Sequence, residues 1–263
     1  MTATSCGRLG FASGEARGPD DGALASDANG DLSDASGDAP TARADSSDAA
    51  TAPDPSLIFW LPFNDSATLL REAVSNTDLP CYSNRCPIVT GSGAATHARF
   101  IGSLSTCLSV PSIALFKQTK FTISAHVLQN ANSTMAIVSK GLEPDFFGFF
   151  TWKLGMGPVT GNPSASFQGS DPMKVVSGLA APSSLVHIAV TYDNATTTAT
   201  LYVNGAMQAS NNMQARLNYD EGAVMVGCTL GFGTVNDTFD GEMADLRLYS
   251  RVLSPAEIAN LTP

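Results

Sequence analysis

The chain has 263 residues, with 14 Lys and Arg against 24 Asp and Glu, a net charge of −10, and only 14% charged residues against 43% hydrophobic ones. An acidic balance without a basic stripe interleaved with aromatics lacks the electrostatic footprint of a nucleic-acid binder, so nucleic acid is not an expected partner. No apolar run reaches the roughly 18 residues that a membrane-spanning helix needs.

From Ala12 to Ile58 there is no aromatic residue, and the stretch GPDDGALASDANGDLSDASGDAPTARADSSDAATAPDPS is Ala, Asp, Ser, Gly and Pro. It offers too little large apolar surface to offset its ordering entropy, so residues 1–55 are expected to be a disordered acidic tether ahead of a folded domain over 56–263. Its 10 carboxylates, from Glu15 to Asp54, face only Arg17 and Arg43, so most of the net charge belongs to the tether. The opening MTATSCGR resembles the tail of a bacterial lipoprotein signal, small residues and then Cys. That resemblance implies lipid attachment at Cys6 and anchoring to a membrane, although the apolar segment that precedes such a Cys is not in the sequence.

From Ser56 onward short alternating apolar runs recur between Gly, Asn, Asp and Pro. In chain order the expected strands are LIFWLPF (57–63), ARFIG (98–102), TCLSV (106–110), FTISAHVL (121–128), MAIVSK (135–140) and FFGFFTWKLG (146–155). SASFQG (164–169), LVHIAVTYD (185–193), TATLYVNG (198–205), AVMVGCTLG (223–231) and MADLRLYS (243–250) follow. Short strands at this spacing, with hardly a helical signal, predict an all-β two-sheet antiparallel sandwich. Trp60 reads as core within its apolar run. Cys81 and Cys86, five apart in LPCYSNRCPIV, suit a local disulfide, whereas Cys107 and Cys228 are either a second bridge or two buried thiols. A bridge would place the protein outside the cytosol.

The segment 185–212 predicts a three-stranded meander. Val186, Ile188, Val190 and Tyr192 alternate with His187, Ala189 and Thr191, a turn follows at Asp193-Asn194-Ala195, and Asn204-Gly205 is the preferred type I′ pair because both central residues need positive φ. In the last strand, Ala244, Leu246 and Leu248 are expected on one face and Asp245, Arg247 and Tyr249 on the other. A short helix follows, with Ser254 as N-cap, Pro255 in the first position, Glu257 completing a capping box, and Leu253 and Ile258 as a hydrophobic staple.

These C-terminal segments, VHIAVTYDNATTTATLYVNGAMQAS, VMVGC and FDGEMADLRLYSRVLSPAEIANL, together with LIFWLPFNDSA and FTISAHV, resemble the laminin-G-like jelly rolls of the concanavalin A-like lectin and glucanase superfamily. His126 stands where the family usually has Trp. The resemblance implies a jelly-roll fold over about residues 56–261 and a ligand that is a glycan or an extracellular protein. It also implies a structural calcium, for which Asn64, Asp65, Asp240 and Asp245 are candidate ligands. The family's closing strand reads G-x-I-D-[DE]-V-R-I-Y, and Ala244 here replaces its first acidic residue, which removes one ligand.

Catalytic signals are weak. The E-x-D-x-E strand of the retaining glucanases, whose carboxylates stand roughly 5 Å apart, is absent. Glu72, Glu143, Glu221, Glu242 and Glu257 stand singly. His97, His126 and His187 have no nucleophile elbow to serve and no paired His/Cys spacing for zinc. For sugar binding, Trp152 is the candidate platform, with Asp193, Asn194 and Asn236 as loop hydrogen-bonders and two of Phe146, Phe147, Phe149 and Phe150 as possible additions. The expectation is a non-catalytic extracellular recognition or adhesion module that binds carbohydrate. A divergent glycoside hydrolase and a structural protein-interaction domain are the alternatives.

Overall fold

Strict period-2 alternation builds the two central strands, because a strand between two neighbours can bury one face only against the opposing sheet. The structure, a computed structural model, describes residues 54–92, 95–111, 113–130, 134–142, 150–157, 162–167, 174–177, 185–214, 216–231 and 233–262. Cys6, nearly all of the expected tether, Glu143, Phe146, Phe147 and Phe149 lie outside the described residues.

In chain order the first strands are β1 (Leu57–Leu61), β2 (Arg71–Glu72), β3 (Thr77–Asp78), β4 (Ile88–Thr90), β5 (His97–Phe100), β6 (Leu108–Val110), β7 (Lys120–Gln129), β8 (Met135–Gly141) and β9 (Phe150–Met156). They are followed by β10 (Pro163–Phe167), β11 (Lys174–Ser177), β12 (Val186–Asp193), β13 (Thr198–Val203), β14 (Ala206–Asn212), β15 (Val224–Val226), β16 (Thr229–Gly231), β17 (Thr234–Asn236) and β18 (Gly241–Tyr249), and then by helix α1 (Pro255–Ala259). An eight-stranded sheet runs β14-β13-β12-β7-β18-β5-β4, with β1 also paired to β18, and a six-stranded sheet runs β11-β10-β9-β8-β15-β6. Pairing within both is antiparallel, as expected for the jelly-roll sandwich.

The core lies between the sheets. Phe121, Ile123, Ala125 and Val127 of β7 and Val186, Ile188, Val190 and Tyr192 of β12 face Ile137, Trp152, Leu154 and Phe167 of the other sheet. Aromatic rings connect across it: Trp152 lies 6.0 Å from Phe116 and 5.5 Å from Phe121, and Tyr192 lies 5.0 Å from Phe167. Burial of such rings dominates the stability of a sandwich. Trp152, expected as a sugar platform, is therefore a core residue at 2% exposure, because alternation along β9 turns it inward and Lys153 outward.

The meander β12-β13-β14 forms as expected, and Asn204 and Gly205 adopt φ of 48° and 75°, the two positive values of a type I′ turn. The run AVMVGCTLG, expected as one strand, breaks at Gly227 (φ 86°), where a Cβ would come within 2.4 Å of the Phe100 ring. The chain turns there into a separate hairpin of β16 and β17. Both disulfides form, Cys81 with Cys86 and Cys107 with Cys228.

The capping box at Ser254 and Glu257 is complete, and Leu253 and Ile258 join Ala189, Tyr202 and Tyr249 in a small second cluster. Helix α1 thus covers one end of the outer face of the eight-stranded sheet, the face turned away from the core. Arg251 binds both Glu257 and Asp54 and donates to Ser56 Oγ at 2.9 Å, joining the entry of the domain to its exit. Arg251 pulls the Glu257 carboxyl down to about 2. Because the guanidinium is 38% exposed and screened by solvent, Arg251→Ala is expected to lower Tm by only about 2–4 °C in a thermal melt, less at high salt.

Candidate functional site

Elsewhere on that outer face, much of which is buried, β18 changes neighbour part-way along its length. Residues Gly241–Met243 pair with β5, whereas Leu246–Tyr249 pair with β1 on the same side. Between the two neighbours Asp245 adopts a left-handed φ of 53°, its N–H donates to Pro62 O at 3.1 Å, and the pairing with β7 shifts register between Ala244 and Arg247. This is a β-bulge, an extra residue that reverses the phase of alternation, and Asp is among the few residues that tolerate the conformation. Ala244 was expected on the same face as Leu246 and Leu248. Met243 takes the inward position instead, and Ala244 and Asp245 both reach the outer face.

A cleft of about 320 Å³ opens at this bulge, lined by Trp60, Pro62, Asn64, Thr96, His97, His126, Leu185, Ala244, Asp245, Arg247 and Leu261. Trp60 is half-buried here, not core: Phe59 and Leu61 point inward, and alternation sends the indole out. Its cross-strand partner is Arg247, whose guanidinium carbon lies 5.1 Å from the ring centroid. Asp245 Oδ1 accepts from Trp60 Nε1 and from Arg247 Nε, each at 2.7 Å. Arg247 also donates to the Tyr249 hydroxyl at 3.4 Å. Burial works to lower the guanidinium pKa, but Tyr249 and Asp245 more than offset it and hold it above its ordinary value. Trp60, Asp245 and Arg247 are therefore a fixed unit, an aromatic wall braced by a compensated ion pair.

Histidines complete the cleft. His97 Nδ1 lies 3.3 Å from Glu242 Oε2, and His126 Nδ1 lies 3.7 Å from Asp245 Oδ2, too far for a hydrogen bond. His187 sits beside His126 with ring centroids 4.9 Å apart. Burial, then His126 and Arg247, push the His187 imidazole down to about 3. His126 is also held below its ordinary value, by burial first and by Arg247 and His97, against the opposing pull of Asp245.

Of the expected site residues, only Asn64 and Asp245 line this cleft. Asp65 caps its own turn, accepting from Ala67 N at 2.9 Å, and Asp240 pairs with Arg99 at 2.9 Å. Among the described residues no three carboxylates, imidazoles or thiols cluster as a metal site would need, and Asp245 and Asp240 are already neutralised by guanidinium groups, so this donor set does not fit a calcium ion. Asp193 pairs with Lys120 of the neighbouring strand at 3.0 Å, Asn194 Oδ1 accepts from Leu217 N at 2.9 Å, and Asn236 donates to Thr234 O at 3.2 Å; all three are engaged in holding loops and strands together away from the cleft. Trp60, His126 and Arg247 were not expected as site residues. The alternation of LIFWL around Trp60 was the one available signal.

A laminin-G family model of the concanavalin A-like lectin/glucanases superfamily matches residues 102–259. The chain belongs to that superfamily. Solved structures of other proteins share this fold at low identity. Domain 4 of AbnA, an extracellular arabinanase from Geobacillus stearothermophilus solved with arabinotriose, is 18% identical, covering 79% of this chain and 98% of that one with a TM-score of 0.61. The binding domain of Paraclostridial Mosquitocidal Protein 1 is 14% identical, covering 78% and 51%, with a TM-score of 0.59. A CBM40 of the Ruminococcus gnavus IT-sialidase, bound to α2,3-sialyllactose, is 17% identical, covering 57% and 86%, with a TM-score of 0.50. No curated protein matches the chain. Among the described residues, no helix is long and apolar enough to cross a membrane.

Proposed function

We propose that this superfamily member is a non-catalytic glycan-recognition module acting outside the cytosol, with its ligand seated in the cleft at the β18 bulge. The observation that carries the reading is the braced wall of Trp60, Asp245 and Arg247 beside the polar side chains of Asn64, Thr96, His97 and His126. A sugar presents an apolar C–H face and a fringe of hydroxyls, and a fixed aromatic ring beside convergent polar groups matches both. Sugar ligands accompany two of the structural neighbours, arabinotriose on the arabinanase domain and sialyllactose on the CBM40, which supports the class of ligand. The two disulfides support an oxidising compartment. In this reading the acidic segment ahead of the domain is a spacer, with Cys6 as its lipid attachment point.

The test is a glycan array probed with the full chain, with calcium and with chelator. The expected result is saccharide binding in both conditions, reduced at least about tenfold by Trp60→Ala with an unchanged circular dichroism spectrum. Binding that survives Trp60→Ala would remove the cleft from the reading, and loss on chelation would restore calcium to it.

A further inference from the structure

The strand registers place a row of outer-face residues across the eight-stranded sheet. His187 of β12 is paired with His126 of β7, and His126 with Ala244 of β18. On the other side of β18, Met243 is paired with Ala98 of β5, so His97 falls beside Ala244 one residue further along the same register. The row reads His187, His126, Ala244, His97. Adjacent strands are about 4.8 Å apart, so His126 and His97 stand roughly 10 Å apart with only a methyl group between them.

Two of these imidazoles carry ring nitrogens without a hydrogen bond. His126 Nε2 and both ring nitrogens of His187 are buried without a hydrogen bond, and the side chains are 7% and 1% exposed. An unsatisfied buried nitrogen costs about 1–3 kcal/mol, and folded proteins rarely retain one. Of the two, His126 lines the cleft, so its orphaned nitrogen is the one that points to an incoming group, with His187 buried behind it.

We infer that the gap over Ala244, between His126 and His97, seats one uncharged hydroxyl-bearing group of the ligand, so that the module selects neutral over carboxylated or sulfated saccharides. The inference rests on the reading of the cleft as a glycan site. A neutral imidazole presents one N–H donor and one acceptor nitrogen, and a hydroxyl can both accept and donate, whereas a carboxylate or sulfate can only accept. Burial holds the His126 imidazole below its ordinary pKa of 6.5, so it is neutral at pH 7. The fixed charges nearby favour the same choice. Arg247 is compensated by Asp245 at 2.7 Å, and Glu242 adds a carboxylate beside His97, so the cleft has no surplus positive charge to attract an anion. The smallness of Ala244 keeps the gap open, because any longer side chain at the bulge would project into it. Ala244 and His126 are thereby specificity-determining residues.

The experiment compares the full-length wild type with Ala244→Leu, His126→Phe and His126→Gln on an array of neutral, carboxylated and sulfated oligosaccharides, with thermal melts to verify folding. The wild type is expected to bind neutral members at least about tenfold more tightly than acidic ones. Ala244→Leu and His126→Phe should each lose at least about tenfold, while His126→Gln, which keeps a donor and an acceptor, should retain most of the binding. Equal or stronger binding of acidic members, or binding that survives both Ala244→Leu and His126→Phe, would overturn this inference and leave the glycan-site reading standing. Absence of binding to any saccharide by the wild type would overturn that reading, and this inference with it. If Ala244→Leu fails to fold, the contrast between His126→Phe and His126→Gln decides the matter alone.

Discussion

Replacing Glu72 with Ala is expected to destabilise the domain by about 3 kcal/mol, read as a fall in Tm of roughly 6–12 °C. The Glu72 carboxylate is 2% exposed and accepts three backbone N–H groups, from Trp60 at 2.8 Å, Val74 at 2.9 Å and Ser75 at 2.6 Å. Truncation strands three donors at once, each with its own desolvation cost. Glu72→Gln keeps one acceptor oxygen and should cost roughly half as much. The site has a share in this effect, since one of the three donors is the backbone of Trp60, so glycan affinity should fall along with stability in Glu72→Ala. A Tm within about 2 °C of wild type would mean that water serves these amides as well as the carboxylate does.

Acid should unfold the protein through His187. Its imidazole has an ordinary pKa of 6.5 and is held at about 3 in the folded state, so between these values the unfolded chain binds the proton and the folded one does not. Stability is fully present above pH 6.5 and falls as pH drops below it, by about 2 kcal/mol at pH 5. His126, shifted in the same direction, adds to the slope. Denaturant melts at pH 7, 6 and 5 would measure it. His187→Phe should flatten the pH dependence to the smaller part left by His126, and an unchanged slope in that variant would refute the assignment. The window from pH 5 to 6.5 lies above the ordinary range of carboxylates, so histidines dominate the titration there.

Much of the fold is legible from local chemistry. Alternation identifies β7, β12, β13 and most of β18, the Asn204-Gly205 pair specifies the hairpin, and Ser254-Pro255-Ala256-Glu257 specifies the helix start. Each of these signals is carried by residues within a few positions of one another. The candidate site is less legible because its parts are distant in the chain: Trp60 and Asp245, hydrogen-bonded at 2.7 Å, are 185 residues apart. The expected site residues were chosen for their chemistry in turns, and turns use Asp and Asn for their own geometry, as Asp65 and Asp193 do here, while Asn194 ties its turn to Leu217.

Three particulars mark the boundary between sequence and tertiary structure. Trp152 and Trp60 both occur in apolar runs, FFTWKL and LIFWL, and the sequence assigned them to opposite roles from those they hold. Which face of a strand meets the core depends on the sheet packed against it, and a run apolar on both faces conceals that choice. The bulge at Asp245 inverts the phase of β18 midway, and it exists because β5 and β1 share one edge of β18 and leave a junction between them. The row from His187 to His97 depends on register across four strands. The sequence by itself determined the all-β class, the turns, the capped helix and the laminin-G-like resemblance, because each rests on local backbone preference and short-range pattern. Tertiary structure alone decided which aromatic became a wall and which became core, where the cleft opened and which histidines meet there, because strand pairing joins residues whose separation along the chain carries no local signal.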